Sequence, residues 1–139
     1  MDIVVLIGRI AFGLLFVGSA VGHLTQTEGM AQFADARGVP SSRVIVQLSG
    51  LWILVGGLMV ILGVWADLGA LLLVVFLLLT ALVMHPFRRV TGEEQQMEQV
   101  QFLKDLGLAG AALMLFGFFA ASPDLGFTIT GPLFEASFG

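Results

Sequence analysis

Five side chains of types that can hold a proton or a ligand lie near the edges of long apolar runs: His23, Gln47, His85, Lys104 and Asp105. The last two raise the sharpest question. Residues 99–119, QVQFLKDLGLAGAALMLFGFF, read as a membrane helix that starts with a charged pair. Ionisable groups inside a membrane are costly, usually face the bundle interior and mark functional sites. Successive helical residues point about 100° apart, so Lys104 and Asp105 are expected to find separate partners rather than each other. His23 or His85 suits Asp105, and a loop carboxylate or a backbone carbonyl suits Lys104. Simpler roles compete. Lys104 is only about one turn inside the span and can snorkel to the headgroups. An acid near a helix start complements the helix dipole. His85-Pro86 can be an ordinary helix end ahead of the anchors Arg88 and Arg89.

Two histidines and an aspartate could ligate a metal, but their spacing matches no compact motif, and no metal site or catalytic residue is assigned. A haem held by His23 and His85 is a weaker option of similar kind. There is no glycine-rich phosphate loop and no Ser-His-Asp order. A quinone or another amphipathic ligand fits the residue types better. Such a ligand needs polar groups for its head and an apolar slot for its tail, and Phe87 and Phe102 stand close in sequence to His85 and Lys104.

The elements that hold these groups follow from composition. Of 139 residues, 58% are hydrophobic and 12% charged, against roughly 45–50% and 25% in soluble domains. Lipid is the implied solvent, and the length suits a single domain. A net charge of −4 with no basic stripe argues against nucleic-acid partners. The lack of cysteine excludes disulfides, thiol catalysis and zinc–thiolate sites on this chain.

Charges divide the chain into four uncharged runs, Ile10–Thr27, Val44–Ala66, Leu68–Phe87 and Leu106–Pro123, of 18, 23, 20 and 18 residues. A spanning helix needs about 20 apolar residues. The runs lack the polar stripe of a soluble bundle. They predict an all-α integral membrane protein, a four-helix transmembrane bundle with spans at about 3–24, 43–64, 68–87 and 100–121. Within 28–37, EGMAQFADAR places Met30, Phe33 and Ala34 at helical spacing, which predicts a short interfacial helix after span one. The tail, 124–139, has no clear period and is expected along the membrane surface. The N-terminus lacks the basic segment and cleavage site of a signal peptide, so it is taken as a permanent span.

With four spans, His23, Gln47, His85 and the Lys104–Asp105 pair all come to the same end of the bundle, as a polar ring. That end also carries Arg37, Arg43, Arg88 and Arg89, while the end with both termini carries only Arg9. The positive-inside rule then puts loops 1–2 and 3–4 in the cytoplasm and the termini outside. Arg9, Gly13, Phe16, Ala20 and His23 form one stripe, so Arg9 should face inward, toward Asp2, Asp67 or a lipid phosphate. Gly18 and Gly22 make a GxxxG pattern, and Gly107 with Ala111 a second small face, both suited to close helix packing.

Certain of these features resemble the DoxX family of small four-span bacterial membrane proteins, over most of residues 5–120. The resemblance rests on RIAFGLLFVGSAVGHL from Arg9 to Leu24, on Gly38-Val39-Pro40, on Gly56, Gly57 and Gly63, on His85, and on FLKDLGLAG from Phe102 to Gly110. The family usually looks like Lys-Asn where Lys104 and Asp105 stand, often has a Glu at the position of Ile53 and commonly a lysine at that of His23. It includes the membrane part of a thiosulfate:quinone oxidoreductase. The resemblance therefore implies a bacterial plasma-membrane protein, an accessory or anchoring subunit of a larger oxidoreductase complex contributing to a quinone site. A structural or assembly factor, or a lipid-binding or small-molecule-binding protein, is the alternative.

Overall fold

The computed structural model describes residues 1–137 and is helical throughout its regular structure. Helix α1 covers Asp2–Thr25, α2 Thr27–Ala36, α3 Ser42–Leu62, α4 Ala66–Met84 and α5 Gly92–Ala120. A 3-10 turn, Phe87–Arg89, separates α4 from α5. Helices α1, α3, α4 and α5 are each long and apolar enough to cross a membrane. The short α2 follows α1 after Gln26 and packs on α3, as an interfacial helix should.

Helix order in space follows chain order: α1 lies on α3, α3 on α4 and α4 on α5. The adjacent glycines 56 and 57 explain how α3 serves two neighbours. They point to different sides of one helix. A Cβ on Gly57 would lie 3.1 Å from the Gly13 carbonyl of α1, and one on Gly56 would lie 3.2 Å from the Gly69 carbonyl of α4. A Cβ on Gly13 would come within 2.8 Å of the Gly57 carbonyl. Backbones cross closely at both points because side chains are absent there. Ile53, Val60, Leu73 and Phe16 fill the core around these crossings.

The expected glycine faces are not the packing faces. Nothing lies within 4 Å of a Cβ built on Gly18 or Gly107, and Gly22 would meet only Met30. Gly107 is exposed and Ala111 half-buried. The buried stripe of α1 runs through Arg9, Gly13, Phe16 and Ala20, and Gly18 lies off it. The inward stripe was legible, but the GxxxG spacing pointed to a neighbouring face.

Arg9 is 1% exposed, inside the bundle as expected, but its partners are different. Nε donates to the Val60 carbonyl, Nη2 to that of Ile61 and Nη1 to that of Phe127, each at 2.9 Å. The guanidinium thus caps the C-terminal end of α3, where the helix dipole favours a cation. It lies 6.0 Å from the Phe119 ring centre. Gly63, at φ 67°, closes α3, and a Cβ there would lie 2.5 Å from Arg9 Nη2. Asp67, fully buried, accepts instead from the backbone N–H groups of Leu133 and Phe134.

These contacts draw the tail back over the terminal end of the bundle. Ile129 and Thr130 donate to the Gly63 carbonyl, Ala136 donates to that of Ala120, and the Thr130 hydroxyl accepts from the Trp65 N–H. The tail is therefore a cap on that end of the bundle. Its last two positions, 138 and 139, lie outside the described residues.

Candidate functional site

At the other end of the bundle the polar residues form two groups rather than one ring. The first is a line of charges. Arg37, just past α2, donates through Nη2 to Glu98 Oε1 at 2.7 Å and through Nε to the Met84 carbonyl at 3.1 Å. The other oxygen of Glu98 lies 2.7 Å from His85 Nδ1. His85 Nε2 then faces Asp105 Oδ2 at 3.5 Å. Glu98 and Asp105 are seven residues apart, two turns along one face of α5, so both reach the single imidazole. Arg37 also lies over the Phe33 ring, 4.4 Å from its centre.

His85 occupies this place because Pro86 cannot continue α4: it lacks an N–H and its ring restricts the residue before it. His85 closes the helix in a non-helical conformation, φ −118° and ψ 62°. Its ring turns toward α5, which begins eight residues before the expected start and so brings in Glu98. At 29 residues α5 is roughly 43 Å long, more than a bilayer core requires. Its polar first turns lowered the apparent hydropathy and hid this extension.

Proton counting in the line is informative. Oxygens of Glu98 and Asp105 face the two ring nitrogens. A neutral ring carries one N–H and can serve one of them; a charged ring can serve both. Asp105 Oδ2 is a buried acceptor with no hydrogen-bond partner among the described residues. With a neutral ring, one of the two carboxylate contacts has no proton to share, and the longer one, His85–Asp105, is the one that makes no hydrogen bond. Of the two histidines, His85 is the one that stands beside Asp105. Lys104 stays at the edge of the group: it is 55% exposed and hydrogen-bonds Gln101, and, contrary to the expectation of separate partners, it forms a long ion pair with Asp105 Oδ1 at 3.8 Å.

The second group is His23 with α3. Its Nδ1 lies 2.9 Å from Ser49 Oγ and 3.2 Å from the Val46 carbonyl. Ser49, not Gln47, is the polar group that α3 contributes. Gln47 is exposed because Val46, Gly50 and Ile53 carry the inward stripe of α3, and Gln47 falls between its turns.

A cavity of about 760 Å³ joins the two groups. His23 of α1, Met30 and Phe33 of α2, Val46 and Ser49 of α3, and Phe76, Leu79, Thr80 and Val83 of α4 line it, with His85. The size falls in the usual range for small-molecule sites, and the wall is apolar with a few polar groups, as such sites are. The expected aromatic pair lies elsewhere: Phe87 and Phe102 pack on each other, ring centres 5.2 Å apart, and do not line the cavity. A bis-histidine haem fits this arrangement poorly. His85 has a carboxylate at each nitrogen, so axial ligation would break one of those contacts. Sequence reading missed Glu98, Arg37 and Ser49 as members of the site. The seven-residue spacing of Glu98 and Asp105 was the available signal.

The DoxX family profile matches residues 4–86, more than half of the chain. Two relatives from Escherichia coli (strain K12) are similar along most of its length. Inner membrane protein YqjF is 31% identical over 114 residues, 82% of each chain. Inner membrane protein YphA is 25% identical over 113 residues, 81% of each chain. No solved structure matches. Four long apolar helices, the glycine crossings and these similarities agree: the chain is a multi-pass membrane protein that belongs to the DoxX family.

Proposed function

We propose that this protein is an accessory subunit of a membrane-associated oxidoreductase, and that it holds an amphipathic, quinone-like molecule in the cavity between α1, α2, α3 and α4. The cavity carries the reading: about 760 Å³ with a mostly apolar wall and a histidine at the end of each of two helices. An isoprenoid tail suits the apolar wall, and the histidines suit a polar head. Phe33, Ile45, Leu79 and Val83 line the cavity and are themselves exposed. These residues give a tail a continuous apolar path to the lipid. The chain has no cysteine, so any thiol chemistry in the complex belongs to a partner.

The test is extraction from native membranes into polymer-bounded lipid discs, followed by mass spectrometry of the bound lipids and proteins. A quinone enriched over the surrounding bilayer, together with a co-purifying oxidoreductase, is the expected result. Thr80→Phe, which narrows the cavity, should reduce the enrichment while the protein stays folded. Quinone at the bulk ratio in both samples refutes the ligand reading and favours a structural or assembly role.

A further inference from the structure

The bonding of His23 determines which ring nitrogen carries its proton. The Val46 carbonyl can only accept a hydrogen bond, so a ring nitrogen 3.2 Å from it must donate. Ser49 Oγ donates its one proton to that same carbonyl at 2.9 Å, which leaves its oxygen to accept from the ring. Both contacts therefore place the proton of the neutral imidazole on Nδ1. Nε2 is then a lone pair, and it makes no hydrogen bond among the described residues. The ring forms part of the cavity wall, edge-to-face with Phe76 at 6.1 Å.

The other polar groups of the cavity do not set a direction. The Thr80 hydroxyl and the Gln26 side-chain amide, which also line it, can each donate or accept. Both nitrogens of His85 face carboxylate oxygens. His23 Nε2 is thus the group with one fixed role, that of acceptor.

We infer that the cavity selects a ligand whose head group offers a hydroxyl proton to His23 Nε2. This rests on the proposed function, and for a quinone-like molecule it means that the quinol binds in preference to the quinone. A quinone carbonyl would set lone pair against lone pair at Nε2, and the site would lose a hydrogen bond that the quinol makes. A lipid alcohol shares the same chemistry and is the other source of such a head group.

The experiment uses the full chain in phosphatidylcholine nanodiscs, with three probes: decylubiquinol held reduced under argon, decylubiquinone and dioctanoylglycerol. Titration calorimetry should show the quinol binding about ten-fold more tightly than the quinone, one hydrogen bond's worth. His23→Phe should remove the difference. Because the chain has two histidines, ¹⁵N-histidine NMR of the unmodified protein reads the tautomer directly, without reliance on a variant that must fold. A ring protonated at Nδ1 is expected, and one protonated at Nε2 overturns the inference. So does equal affinity for the two redox forms, which would leave the proposed ligand site standing. Dioctanoylglycerol binding as tightly as the quinol supports the hydroxyl requirement and refutes the redox reading. If none of the three binds, the site and the inference fall together.

Discussion

Glu98 is the residue on which the loop-end cluster depends. It is the shared partner of Arg37 and His85, all three largely buried. Removing one member of a buried ion pair leaves an uncompensated charge, which typically costs several kcal/mol. Glu98→Gln keeps the shape and removes the charge. It is expected to destabilise the protein by about 3 kcal/mol, read as a fall in the midpoint of unfolding by SDS titration in mixed micelles. Arg37→Met with Glu98→Gln should recover part of that loss, since no charge is then stranded. Asp105 behaves differently. Its unpartnered oxygen faces His85 Nε2, and an amide would supply the N–H that this contact lacks. Asp105→Asn should therefore leave stability unchanged or raise it by about 1 kcal/mol in the same assay. A clear loss would show that Asp105 is held by something other than this contact.

The helices were legible in outline because uncharged runs of about 20 residues have few alternatives in a chain this apolar. The stripe from Arg9 to Ala20 was legible because every residue on it either packs or avoids lipid. Which glycines serve as crossing points was not, since glycine spacing marks a possible face and only the neighbour's position decides which face is used. Gly13 and Gly18 separate the two cases. Gly13→Leu would drive a side chain into the Gly57 carbonyl and should cost more than about 2 kcal/mol, with loss of the monodisperse peak in size-exclusion chromatography. Gly18→Leu adds a side chain in open space and should leave that peak intact. The loop-end site was half legible for a similar reason. His85 and Asp105 interrupt apolar sequence and attract attention, whereas Glu98 sits among Glu93, Glu94 and Gln95, where one more acid looks like solvated surface. Gln47 misled because residue type was legible and its helical phase was not.

For the molecule as a whole, the two ends differ in charge and in construction. Arg9 is the one basic side chain at the terminal end, and it is buried against carbonyls. That end thus presents no exposed arginine or lysine among the described residues, while Arg43, Arg88, Arg89 and Lys104 are exposed at the other. The positive-inside rule accordingly favours a cytoplasmic loop end. Because the chain lacks cysteine, single-cysteine variants can test this directly. Glu94→Cys is expected to resist a membrane-impermeant maleimide in intact cells and to react after lysis, and Asp124→Cys is expected to react in both. The reverse pattern would invert the orientation and place the cavity near the outer face.

The clasp on Arg9 has a consequence for how the protein is made. One of its three carbonyl partners belongs to Phe127, which leaves the ribosome only after all four spans. The first helix therefore enters the bilayer with a cation whose final coordination does not yet exist. Until α3 and then the tail arrive, that charge must be hydrated or held by headgroups, at a cost that any intramembrane arginine carries. Coordination of Arg9 is thus completed only by the last segment, and a nascent chain halted before Phe127 displays an incompletely satisfied arginine in α1, a mark by which membrane quality control could distinguish unfinished copies from finished ones.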